Sequence, residues 1–134
     1  MATTGRISGK DVYIEFDGTD ISGDVTSVSW TEDGDVVDVT AANDSFHYYV
    51  TTRKDGTLDV EAFFDASTTT AFDAVAVNTA GTLVVAPAGT ASGNPKYTWD
   101  RAIVSSRAVT IPFDGGVTWT ATFQFSSEVT ESTY

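Results

Sequence analysis

The segment Thr57–Asp65, which reads TLDVEAFFD, decides the predicted fold because its apolar and polar residues alternate. Successive side chains of a β-strand point to opposite faces, so this alternation predicts a strand with one buried face. The apolar face carries Leu58, Val60, Ala62 and Phe64, and the opposite face carries Thr57, Asp59, Glu61 and Phe63. An aromatic cluster, FHYY at residues 46–49, precedes the strand. Aromatic side chains outside a regular strand predict contact with a neighbouring subunit.

Alternation of the same kind marks much of the remaining chain. It is clearest at residues 117–126, where Val117, Trp119, Ala121, Phe123 and Phe125 face inward and Thr118, Thr120, Thr122 and Gln124 face outward. Further strands are predicted at residues 11–16, 24–31, 36–40, 83–86 and 97–110, and a short helix at residues 66–78. The predicted fold is mainly β, an antiparallel β-sandwich or barrel with one flanking helix. We expect a single domain, residues 1–134, with terminal arms at residues 1–10 and 127–134.

Residues 41–54 depart from this pattern, because they show neither a period of two nor a helical stripe. Loops of this length are uncommon in compact domains and are usually functional or disordered. Phe46, Tyr48, Tyr49 and Val50 are residue types that disordered chains lack. We therefore predict a long loop that binds a partner.

The charge is strongly negative and unevenly distributed. The net charge is −12, and residues 1–67 hold 14 acids and 4 bases, or −10 of that total. Such a domain repels nucleic-acid phosphates, so ordinary DNA or RNA binding is not expected. The excess of acids fits either a high-salt host or simple solubility, and the sequence leaves both open. Met1–Arg6 lacks the apolar segment of a signal peptide, so we expect synthesis in a cytoplasm and no membrane span.

Catalytic and metal-binding chemistry find little support. The single histidine, His47, lies among aromatic residues, and the absence of cysteine excludes thiolate nucleophiles and thiolate metal sites. The Asp-Gly pairs are typical of turns and do not match a calcium-binding loop. We predict no enzymatic activity, no cofactor and no metal site. Trp30, Trp99 and Trp119 fit a sugar-binding surface, but core or interface positions suit them better.

The polar strand faces contain rows of Ser, Thr, Asp and Glu without a Lys or Arg, at residues 27–31, 57–61 and 118–124. One interpretation is the solvent-exposed face of an ordinary one-sided sheet. The other is the wall of a channel through which DNA slides without adhering, since phosphate binding depends on Lys and Arg.

The order and spacing of several segments resemble the tail tube (major tail) proteins of long-tailed, siphovirus-like bacterial or archaeal viruses. The similar segments are DISGDVTSVSW at residues 20–30, VDVT at 37–40, the loop, KDGTLDVEAFFD at 54–65, the helix at 71–77, PAGTASGNPKY at 87–97 and the strand at 117–126. Together they span roughly residues 11–130.

This resemblance implies a structural protein that assembles as hexameric rings stacked into a tube, the conduit for viral DNA. Each subunit would add strands to a continuous inner barrel, and the loop would reach into the adjacent ring. The implied inter-ring contacts are Asn43, Asp44, Ser45, Phe46, His47, Tyr48, Tyr49, Val50, Arg53 and Lys54. The implied lumen-lining residues are Thr57, Asp59, Glu61, Thr118, Thr120 and Thr122. The implied location is the virion tail, assembled in the host cytoplasm, with tape measure, tail terminator and baseplate proteins as partners and DNA passing without specific binding.

Two alternatives stay open from the sequence. A head–tail joining or tail terminator protein has the same fold but closes a single ring, so it needs only one adhesive ring face. A carbohydrate-binding β-sandwich would use the tryptophans instead.

Overall fold

A computed structural model of the protein describes residues 6–134, and its elements are almost all antiparallel strands. The strands are β1 (Tyr13–Phe16), β2 (Thr19–Asp20), β3 (Val25–Asp38), β4 (Tyr49–Phe63), β5 (Ala80–Ala86), β6 (Pro95–Thr110), β7 (Thr118–Phe125) and β8 (Val129–Thr133). The helices are a 3₁₀ turn at Gly9–Asp11 and α1 at Thr70–Ala74. The predicted mainly β antiparallel fold with one short α-helix is therefore confirmed.

The strands form one sheet in the order β2-β1-β5-β6-β7-β4-β3, and β8 pairs with β6 beside the end of β7. The sheet is not closed but curls over on itself. Phe16 of β1 lies 4.9 Å from Phe123 of β7, and Trp30 of β3 lies 5.6 Å from Trp99 of β6, measured between ring centroids. These contacts join strands that are distant in the sheet order, so the two halves pack face to face as a sandwich.

The core lies between the two halves and contains the apolar faces that the alternation predicts. Leu58, Val60 and Ala62 of β4 are buried, as are Trp119, Ala121 and Phe123 of β7. Trp99 is 1% exposed and stacks on Phe125 at 4.3 Å between ring centroids. Two of the three tryptophans are thus core residues, and Trp30 is half-buried against Trp99 and Tyr97.

The helix predicted at residues 66–78 is wrong in its bounds, because α1 covers Thr70–Ala74 alone. Asp65 accepts a hydrogen bond from the Ser67 backbone N–H at 2.9 Å and holds the preceding residues in a turn. Asn78 has a φ of 68°, a left-handed conformation that continues no α-helix. Phe72 anchors this short helix by ring contacts with Phe64 and Trp119.

The predicted C-terminal arm, residues 127–134, is also wrong, since β8 occupies most of it and pairs with residues 95–99 of β6. Backbone pairing of this kind needs no clear apolar alternation, which is why the sequence did not indicate it. The predicted N-terminal arm, residues 1–10, falls partly outside the described residues, which begin at Arg6.

The predicted loop at residues 41–54 is wrong over its second half. Tyr49–Lys54 belong to β4 and pair with β3, through Val37 opposite Val50 and Asp38 opposite Tyr49. The strands predicted separately at 24–31 and 36–40 join across a bulge near Gly34 into the single strand β3. We call the resulting structure the hairpin arm: residues 31–38 of β3, residues 49–55 of β4 and the connection at residues 39–48.

Candidate assembly surfaces

The hairpin arm is exposed along its whole length and carries much of the exposed apolar surface among the described residues. Phe46, at its tip, is 85% exposed. The other large apolar residues that it exposes are Val36, Val37, Val39, Tyr48, Tyr49 and Val50. Clustered exposed apolar residues mark interaction surfaces, whereas single ones are normal.

Hydrogen bonds within the arm order its tip. The Val39 N–H donates to the Tyr48 carbonyl at 2.8 Å, and the Tyr48 N–H donates to the Thr40 hydroxyl at 2.8 Å. The Ala41 N–H donates to the Asp44 carboxylate at 2.8 Å. The tip therefore has a defined shape although residues 39–48 are all exposed.

Asp38 lies at the centre of these contacts. Its carboxylate accepts hydrogen bonds from the hydroxyl and the backbone N–H of Thr40, and its Oδ2 lies 3.2 Å from Nδ1 of His47. These bonds, chiefly those from Thr40, lower the pKa of Asp38 below its usual range. The single histidine thus contacts Asp38 within the arm.

A second surface is the polar face of the four adjoining strands β3, β4, β7 and β6. Cross-strand pairing aligns its side chains in rows, such as Ser29, Asp59, Thr122 and Ser106, and Ser27, Glu61, Thr120 and Ala108. The Thr122 hydroxyl donates to Oδ1 of Asp59 at 2.7 Å. Thr57 and Thr118 are half-buried on the same face.

This face is acidic. Asp33 and Asp55 pair across the strands and extend the rows that hold Asp59 and Glu61. Over residues 27–33, 55–61, 106–110 and 118–124, the sole base is Arg107, and it points to the opposite side, where it lies over the Phe72 ring at 4.1 Å. The polar face defined by these described residues therefore carries carboxylates without a compensating cation.

The same four strands end in two free edges. β3 pairs with β4 on one side and has no partner on the other among the described residues. On the opposite side, β5 pairs with β6 only as far as Ile103, and Val104 bonds to Thr79, so residues 105–110 of β6 have no backbone partner strand there within the described chain. Unpaired edges of this kind bind other strands readily.

A third surface lies at the turn between β6 and β7, which sequence reasoning missed. Phe113 is fully exposed, Ile111 is 74% exposed, and Val109 and Phe63 are about half exposed. Phe63 pairs opposite Thr118 on the polar face and Val109 pairs opposite Trp119 on the other face, so these residues share one end of the sheet rather than one face. We call the four residues at this end the apolar tip. The signal was present in the sequence, because IPFDGG at residues 111–116 places two large apolar residues in a turn.

The predicted cations of the arm are positioned differently from each other. Lys54 forms an ion pair with Glu128 of the same chain at 3.2 Å, and both side chains are largely exposed. Arg53 lines the open cleft between the arm and β8.

Among residues 6–134, no three His, Cys, Asp or Glu side chains group as a metal site would require, and no helix is long and apolar enough to cross a membrane.

No protein-family model and no curated protein matches the sequence, but solved structures match the fold. The tail of the empty gene transfer agent particle, refined with C6 symmetry, is similar at 13% identity and a TM-score of 0.72, over 95% of this chain and 99% of that one. The SPP1 tail tube is similar at 12% identity and a TM-score of 0.74, over 96% of this chain and 80% of that one. The tube-terminating cap of the anti-feeding prophage is similar at 10% identity and a TM-score of 0.74, over 100% of this chain and 95% of that one. The chain therefore has the fold shared by tail tube and tube terminator proteins.

Proposed function

We propose that this protein is a tail tube subunit that polymerises, as stacked and hexameric rings, into the conduit for viral DNA. The observation that carries the proposal is a curled, tail-tube-like sheet with two free edges flanking an acidic face that lacks cations. The role is structural, with no catalytic chemistry and no cofactor. The location is the virion tail, after assembly in the host cytoplasm.

Ring formation follows from the two free edges. The β3 edge of one subunit pairs with residues 105–110 of β6 in the next, so each contact is heterologous and the rotation closes a ring. Closure removes the exposed edges that would otherwise cause aggregation. Six subunits per ring are supported by the C6 symmetry of the gene transfer agent tail, which contains a protein of the same fold.

Closure also places the polar face on the inside of the ring. The lumen-lining residues are Thr57, Asp59, Glu61, Thr118, Thr120 and Thr122. Carboxylates and hydroxyls without Lys or Arg repel phosphates or bind them weakly, so DNA passes without adhering.

Stacking of rings uses the hairpin arm. Its contact residues are Asn43, Asp44, Ser45, Phe46, His47, Tyr48, Tyr49, Val50, Arg53 and Lys54, with the aromatic side chains supplying most of the energy. The tape measure, terminator and baseplate proteins are the further partners of such a tube.

Electron microscopy of the purified protein tests this function. Open tubes with a central channel are expected, whereas dispersed monomers would contradict the proposal and favour a binding module. Discrete single rings would support the tail terminator role, which the similarity to the tube-terminating cap keeps as a second candidate. Exposed apolar residues on both the arm and the apolar tip favour the tube, because a terminator needs one adhesive face.

The lumen assignment has its own test. Tubes of the double variant D59K/E61K, assembled with short duplex DNA, are expected to retain DNA that resists nuclease. In the matched control, D73K/D100K, the same charge change lies on exposed residues away from the polar face, and any bound DNA should be digested. Equal nuclease sensitivity of the two samples would place Asp59 and Glu61 outside the lumen.

A further inference from the structure

We propose that Arg107 is a positioning residue that holds the free edge of β6 in the extended form that pairs with the next subunit. The proposal rests on the proposed ring closure and adds to it the contact that prepares this edge. The edge is formed by residues 105–110 of β6, which we call the edge segment. It pairs with β7 on one side and has no partner strand on the other within the described chain.

The edge segment is weakly attached to its own chain. The register of β6 against β7 shifts between Val104 and Ser106, so a bulge at Ser105 separates the segment from the part of β6 that is paired on both sides. Arg107 is half-buried, and the other five residues of the segment are exposed. Segments with few buried contacts open locally more often than the core does. The segment therefore depends strongly on the contacts of Arg107.

Arg107 attaches the middle of the edge segment to α1. It pairs with Ala121 of β7, which is buried, so its side chain lies on the core side of the sheet. One guanidinium N–H donates to the Phe72 carbonyl at 3.0 Å, and the guanidinium carbon lies 4.1 Å from the centroid of the Phe72 ring. A charge-assisted hydrogen bond and a cation–π contact therefore act on the same residue of α1.

Phe72 is itself fixed in the molecule. Its ring contacts Phe64 at 5.2 Å and Trp119 at 5.8 Å between ring centroids, and Trp119 is a buried core residue. The Phe72 carbonyl also accepts a hydrogen bond from the Val75 N–H at 3.3 Å, which closes the last turn of α1. Arg107 thus joins the weakly attached edge to a rigid point. An edge that is ordered before assembly loses less conformational entropy when the next subunit binds.

A charge on the core side of an edge strand can also have the opposite effect. Inward-pointing charges protect edge strands against pairing with other chains. The contacts of Arg107 favour the positioning role, because Phe72 engages both the charge and the face of the guanidinium. The two roles predict opposite results. Loss of a protecting charge makes assembly easier, and loss of a positioning contact makes it harder.

The substitution R107M tests the role, because Met keeps an unbranched apolar stem and removes the hydrogen bond and the charge. R101M is the matched control, since Arg101 also lies in β6 and donates a hydrogen bond, to the Ser126 hydroxyl at 2.8 Å, outside the edge segment. In unassembled R107M, the protected amides of residues 105–110 should exchange hydrogen about ten-fold faster, because local opening becomes more frequent. R101M should exchange there as the parent does.

Pelleting assays measure the consequence for assembly. The critical concentration of R107M should rise about ten-fold, because the edge must be ordered during binding. R107K retains a charge over the Phe72 ring and should fall between R107M and the parent in both measurements. V85A removes buried methyl groups from β5 and controls for a general loss of stability. Its critical concentration should stay near that of the parent.

Each outcome bears on the inference separately from the tube function. Tubes of the parent together with parent-like exchange in R107M would overturn the positioning role and leave the tube function standing. A lower critical concentration for R107M would show a protecting charge, and an equal rise in V85A would show a general stability effect; both would overturn the inference. If R107M does not fold, parent-like exchange in R107K would overturn it instead. A parent that forms no tubes would contradict the proposed function, and exchange in the unassembled protein would still decide the role of Arg107.

Discussion

Gly56 is the residue at which the hairpin arm leaves the sandwich, and its lack of a side chain is required there. It is buried in β4, and a Cβ at this position would lie 2.5 Å from the Thr31 carbonyl oxygen and 2.8 Å from Cδ2 of Phe125. Its own carbonyl accepts a hydrogen bond from Nε2 of Gln124 at 3.0 Å. The backbone of β4 therefore passes closely between β3 and the aromatic core.

We expect Gly56→Ala to lower the free energy of unfolding by about 1–3 kcal/mol, because the methyl group overpacks this crossing. Urea denaturation measures the change. Gly34→Ala is the matched control in β3, where nothing lies within 4 Å of the added Cβ, and its stability should be almost unchanged. Equal effects of the two substitutions would contradict the packing explanation.

We expect the stability of the arm to depend on acid pH through Asp38. Its pKa is lower in the folded arm than in an unfolded chain, chiefly because Thr40 donates hydrogen bonds to its carboxylate. A lowered folded pKa gives stabilisation that is present above the unfolded carboxyl pKa of about 3.9 and is lost as the pH falls through the folded value.

An NMR titration of the Asp38 carboxyl should therefore show a midpoint below that of an unfolded peptide. Thr40→Val removes the hydroxyl donor and should raise the midpoint. Thr51→Val, a control elsewhere on the arm, should leave it unchanged. The same midpoint in the parent and in Thr40→Val would disprove the assigned cause.

At the scale of elements, the hairpin arm is a long antiparallel ribbon held by its own backbone pairing. Val37 and Val50 oppose each other and remain exposed, so the apolar surface of the ribbon contributes nothing to the core. Isolated two-stranded ribbons are marginally stable in water. Its hydrogen-bonded tip and its continuity with β3 and β4 maintain its shape, and its apolar side chains remain exposed.

Replacing residues 39–48 by Asn-Gly should separate folding from assembly. Asp38 and Tyr49 are a cross-strand pair, so a two-residue turn can join them directly. The unfolding free energy should change by less than about 1 kcal/mol, because no core residue is touched. Sedimentation velocity should show loss of the tube-sized species, and tubes of normal length would contradict the role of the arm.

For the whole molecule, the net charge of −12 opposes association of identical copies. Salt shortens the range of this repulsion to about 10 Å at 0.1 M and about 3 Å at 1 M, while apolar contacts persist. The critical concentration for assembly should therefore fall as NaCl rises from 0.05 M to 0.5 M. Pelleting assays measure it, and a critical concentration that rises with salt would indicate ionic contacts between copies instead.

The sequence by itself determined the features that depend on local periodicity. The alternation in β4 and β7 predicted which side chains are buried, and the core position of Trp119 followed from the same reasoning. For Trp99 the sequence left core and interface both open, and the structure buries it. A strand with one face in the core must alternate, so its pattern is readable in a window of a few residues. The mainly β class and the short helix were accessible for this reason.

The tertiary structure alone decided the features that depend on partners distant in sequence. The continuation of β4 to Tyr49, the pairing of β8 with β6, and the alignment of Asp59 with Thr122 all rest on backbone pairing or register. Every residue type can make backbone hydrogen bonds, except that proline lacks the N–H donor. Backbone pairing therefore leaves little trace in the composition of a segment. The sequence shows two large apolar residues in the β6–β7 turn, but only the strand register brings Phe63, at the end of β4, beside that turn.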